Sequence, residues 1–143
     1  MILDNSLQFD CGSAITVTTP SANTIDLSAG RDLGAGDGPT LKLVCTVVAA
    51  FAAAGAATLQ VQFQTAPDNA TWSNLAMSDQ IPVASLTAGA ELLRIDVPLG
   101  CQRYLRLNYV VANGPMTAGA ITSEIVLNRE AQTAYASGFS ADN

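Results

Sequence analysis

From Leu59 to Gln64 the chain alternates without a break, Leu59, Val61 and Phe63 against Gln60, Gln62 and Gln64. A period of two puts the three hydrophobes on one side of a β-strand and the three amides on the other. One side therefore faces a core, and the other presents neutral amides that suit water or a partner surface. The flanks are poor in charge: the alanine-rich stretch 51–57 before it, and Pro67-Asp68-Asn69 after it. Alanine favours helix, but Gly55 and the shortness of 51–57 make a free-standing helix marginal, so a compact loop is expected there.

Shorter runs of the same kind recur at 15–19, 24–27, 41–48, 58–65, 81–86, 92–97, 104–111 and 121–128, which predicts about eight strands. Strong breakers separate them, among them Pro20-Ser21-Ala22-Asn23, Thr87-Ala88-Gly89, Pro98-Leu99-Gly100 and Asn113-Gly114-Pro115. Short strands at this spacing predict an all-β, single-domain antiparallel sandwich of residues 11–129, with an N-terminal arm (1–10) and a C-terminal tail (130–143). Periodicity alone leaves a jelly roll and an immunoglobulin-like sandwich both open. The expected inward residues are Leu41, Leu43, Cys45 and Val47; Leu59, Val61 and Phe63; Leu93, Ile95 and Val97; Leu105, Leu107, Tyr109 and Val111; and Ile121, Ile125 and Leu127. Ser123 interrupts the last of these faces.

With 143 residues the chain can remove roughly two thirds of its unfolded surface from water, so it needs no disulfide to fold. Only 13% of residues are charged, about half the usual share. Much of the exterior must then be amide, hydroxyl and small side chains. Six basic against twelve acidic residues give a net charge of −6, which repels a phosphate backbone and argues against nucleic acid as a partner.

Histidine is absent, which removes the usual general base and the commonest metal ligand; the carboxylates are dispersed, and no catalytic, cofactor or metal site is expected. The glycine-rich segment 30–36 lacks the Lys-Ser/Thr ending of a phosphate loop and reads as a turn. Cys11, Cys45 and Cys101 have no metal spacing and are expected as buried free thiols. No secretory signal and no membrane-spanning helix are expected, so synthesis is placed in a cytoplasm. The basic residues Arg94, Arg103, Arg106 and Arg129 either solvate outer faces, or Arg103 or Arg106 pairs with carboxylates across a subunit or capsid contact.

Several segments carry a likeness that spans most of the chain in order: Met1-Ile2-Leu3-Asp4-Asn5, residues 29–36 (AGRDLGAG), 51–59, 103–109 (RYLRLNY), 114–120 (GPMTAGA) and 135–139 (YASGF). In these the chain resembles the small jelly-roll capsid cement, or decoration, proteins of tailed bacteriophages. The resemblance implies a jelly roll, a structural virion protein without enzymatic activity or cofactor, and a homotrimer on the outer capsid surface bound to the major capsid protein. The residues it brings forward as oligomer or capsid contacts are Met1, Ile2, Leu3, Phe9, Arg31, Asp32, Arg103, Arg106, Tyr135 and Phe139. The alternative is a carbohydrate- or receptor-binding jelly roll of a phage tail or fibre, with Trp72, Tyr104 and Tyr109 as stacking platforms.

Overall fold

The structure, a computed structural model, describes residues 4–34, 36 and 38–127. In chain order its strands are β1 (Gln8–Ala14), β2 (Thr19–Pro20), β3 (Ile25–Asp26), β4 (Lys42–Ala53), β5 (Thr58–Ala66), β6 (Ser73–Met77), β7 (Ile81–Pro82), β8 (Glu91–Asp96), β9 (Tyr104–Ala112) and β10 (Met116–Val126). The first sheet has the order β1-β10-β4-β8; the second has β2-β9-β5-β6, with β3 added to β9 and β7 to β5. Every pairing is antiparallel.

The pairings are nested. β5 pairs with β6, β4 with β8, β2 and β3 with β9, and β1 with β10. A long antiparallel hairpin wound in this way around one core is a jelly roll, which settles the choice that periodicity left open.

Alternation sorts the side chains as expected at the centre of both sheets. Leu43, Cys45 and Val47 of β4 meet Leu59, Val61 and Phe63 of β5, with Leu105, Leu107 and Tyr109 of β9 and Ile121 and Ile125 of β10 in the same core. Ser123 also points inward and is wholly buried. Its hydroxyl donates to Asp10 Oδ2 (3.0 Å), as does the Tyr109 hydroxyl (2.6 Å), and the Ala22 N–H donates to Asp10 Oδ1 (3.0 Å). Asp10 and Ser123 belong to the first sheet and Tyr109 to the second, so this polar cluster bridges the two layers. Burial raises the Tyr109 hydroxyl well above its ordinary pKa, which keeps it a proton donor.

Several element boundaries differ from expectation, each for a local reason. The arm assigned to 1–10 ends early, because Gln8, Phe9 and Asp10 already lie in β1. Phe9 is 0% exposed and packs edge-on against Phe63, with ring centroids 6.2 Å apart, so it is a core residue and not an interface residue. Two register shifts in β1 break its alternation, and the strand expected at 15–19 reduces to Thr19–Pro20. Residues 51–53 continue β4 instead of forming a loop, held by pairing of Ala52 with Ala118 and Ala53 with Met116. Phe51 lies over Gly119, where a Cβ would stand 2.2 Å from the ring; the φ of +138° there also requires glycine. After Ile81–Pro82 the chain turns into a 3₁₀ segment, Val83–Ser85. β10 ends at Val126, leaving the expected inward residue Leu127 exposed.

Candidate docking surface

The outward face of the second sheet carries the amides that alternation predicted. Register places Gln60, Gln62 and Gln64 of β5 opposite Val110, Asn108 and Arg106 of β9, so their side chains share one face. These amides are bonded to one another. Gln62 Nε2 donates to Gln60 Oε1 (3.3 Å), and Gln62 Oε1 accepts from Gln64 Nε2 (3.4 Å) and Asn108 Nδ2 (3.1 Å). Gln64 Nε2 also donates to Asn74 Oδ1 on β6 (2.8 Å), and Gln60 Nε2 to the Ser78 carbonyl (3.0 Å).

Arg106 closes one end of this lattice. Its Nε donates to Gln64 Oε1 (2.8 Å) and its guanidinium stacks 4.1 Å above the Trp72 ring. Partial burial lowers the Arg106 pKa. The outward positions of β5 and β9 contain no carboxylate. The result is a half-buried, uncharged, pre-ordered patch with one cation held at its rim. Such a patch loses little side-chain entropy when a partner covers it.

The outward face of the first sheet differs. Val44, Thr46 and Glu124 lie outside the core cluster yet are at most 1% exposed. Thr46, Arg94 and Glu124 are all engaged there, and Lys42 pairs with Asp96 and Arg94 with Glu91 along the edge.

Where β5 ends and β9 begins, Gly30, Arg31, Asp32, Pro67, Gln102 and Arg103 line a cleft of about 550 Å³. Asp32 Oδ1 accepts from the Gly100 N–H (2.6 Å) and the Cys101 N–H (3.2 Å), tying the glycine-rich loop to the turn before β9. Arg103 makes a bidentate bond to Asp26, both contacts 2.9 Å, and lies over the Tyr104 ring. The Arg103 hydrogen bond, followed by one from the Ser28 N–H, pulls the Asp26 pKa down to about 2.

Of the contacts expected from sequence, Arg31, Asp32 and Arg103 thus come together at one end of the sandwich, and Arg106 stands on the adjoining amide face. Phe9 is in the core. Met1, Ile2, Leu3, Tyr135 and Phe139 lie outside the described residues. Sequence reasoning missed β6, and with it Asn74 and the seating of Trp72. The signal was the turn before it, in which Asp68 Oδ1 accepts from the Ala70 and Thr71 N–H groups and returns the chain along β5. Tyr109 is buried and offers no stacking platform, and one face each of Trp72 and Tyr104 carries a guanidinium.

The three cysteines are free; Cys45 and Cys101 are buried as expected, whereas Cys11 is exposed on the edge strand β1. Burial raises the pKa of both buried thiols, which keeps them protonated. Among the described residues no group of three or more His, Cys, Asp or Glu could hold a metal ion, and no helix is long and apolar enough to cross a membrane.

No curated protein matches the chain. The Bbp16 family model matches residues 9–125, a span that starts on β1 and ends one residue before β10 does. The chain belongs to the Bbp16 family.

Proposed function

We propose that this protein is a structural virion component that binds the outer surface of a tailed-phage capsid and cements it, without turnover and without a cofactor. The observation that carries the reading is the amide lattice of β5 and β9, ordered before any partner arrives and free of carboxylates. Covering such a face strips water from neutral groups, which costs far less than desolvating a Lys/Glu-rich surface. The family assignment and the sequence resemblance to cement proteins support the same reading, and the net charge of −6 suits the outside of a shell better than its genome-facing side. The partner is the major capsid protein, and a homotrimer multiplies a modest contact by avidity.

Light scattering on the purified protein, followed by co-sedimentation with undecorated capsids, tests this. A stable trimer that pellets with the shells is expected. A monomer that stays in the supernatant overturns the reading and returns weight to a receptor-binding module.

A further inference from the structure

Four of the cationic side chains among the described residues have a partner that uses the charge. Lys42 is on Asp96, Arg94 on Glu91, Arg103 on Asp26, and Arg106 on Gln64 and the Trp72 ring. Arg31 is the exception: among the described residues its guanidinium makes no ion pair, hydrogen bond or ring contact. It is exposed and lines the cleft at the end of the sandwich.

Neither of the two described carboxylates beside the cleft bonds to it. Asp32 is turned toward the Gly100 and Cys101 N–H groups, and Asp26 is committed to Arg103 with its pKa near 2. Both bonds also tie together the walls of the cleft around Arg31. In a chain with twice as many acidic as basic residues, an exposed arginine that has no partner among the described residues and lines an open cleft is a place where a carboxylate of a partner can be accepted.

The cleft also adjoins the amide face. Pro67 follows the last residue of β5, Ala66, which pairs with Tyr104 at the start of β9, and Gln102 and Arg103 precede Tyr104 directly. A partner lying on the lattice reaches the cleft without leaving the protein surface.

We propose that Arg31 is the ionic anchor of the docking surface and takes a carboxylate of the major capsid protein, an Asp or Glu side chain seated between the 30–32 loop and the 100–103 turn. A guanidinium grips a carboxylate through two parallel N–H bonds, which fixes orientation as well as affinity. The inference rests on the capsid reading and adds to it the chemistry of one contact.

The test is co-sedimentation with undecorated capsids across a salt series, using the wild type, R31A, R31K and R31E. R31A is expected to bind about tenfold more weakly at low ionic strength, with a shallower dependence on salt. R31K is expected between the two, because an ammonium lacks the fork, and R31E below R31A. Melting curves of the variants are expected to match the wild type, since Arg31 holds no described group. R31A that binds like the wild type at low salt overturns the inference, as does a loss of affinity with an unchanged salt slope. A wild type that does not sediment overturns the capsid reading itself, and the anchor with it.

Discussion

The outward faces of the two sheets obey the same alternation and end in opposite states of hydration. On the first sheet, Val44, Thr46 and Glu124 are already out of water in the folded chain. On the second, Gln60, Gln62 and Asn108 are half-buried and bonded to each other, yet still reach solvent. An apolar side chain fully removed from water, as Val44 is, contributes to stability and has nothing left to offer a partner. One that is ordered but still wet contributes little to stability, and its remaining hydrogen-bonding capacity is available for recognition. The two faces therefore divide the work, and substitutions on them should separate folding from binding.

The largest contrast is expected from a charge placed on each face. Val44→Asp puts a carboxylate where no water reaches and should cost about 3–5 kcal/mol, read as a fall in the urea midpoint. Gln62→Glu places the same charge on the amide lattice, removes one donor, and should cost about 1 kcal/mol or less while weakening capsid binding about tenfold or more. Equal losses of stability at the two positions would erase the distinction between the faces.

Phe9→Ala should cost about 3–5 kcal/mol, because it empties a fully buried site against Phe63. A truncation that removes Phe9 is therefore expected to test folding and not docking. Tyr109→Phe is a smaller perturbation, about 1–3 kcal/mol, since it leaves Asp10 buried with one donor fewer.

The smallest effect concerns the loop end. The Asp26 pKa is lower in the folded chain than its ordinary 3.8, so the Asp26–Arg103 bond is fully stabilising above that value and is lost as pH falls toward about 2. Asp26→Asn should remove this part of the acid limb in a stability-versus-pH curve and lower neutral-pH stability by the same small amount, because both groups are exposed.

Legibility in the sequence followed the regularity of the strands. β9 and the first part of β5 keep an unbroken period, and they and β8 were readable to within a residue or two. β1 and β10 pair across several register shifts, and each shift moves later side chains to the opposite face, which hides the pattern from a period-two reading. The neutrality of the docking face was plain from Gln60, Gln62 and Gln64. Its boundary was not, because Trp72 meets Arg106 only once a five-residue strand has folded back along β5. That Arg31 has no partner among the described residues was equally hidden, since it emerges only when the other described arginines have found theirs.

The cluster of Asp10, Tyr109 and Ser123 has a mechanical consequence. An apolar layer between two sheets resists their separation but offers little resistance to sliding, since burial is unchanged when one layer shifts a little over the other. Hydrogen bonds are directional and weaken steeply when their ends move apart or out of line. With Tyr109 on one sheet bonded to Asp10 and Ser123 on the other, shear along the strands must break these bonds before the layers creep. A sandwich pinned in this way behaves under lateral load as a single stiff plate instead of two stacked sheets.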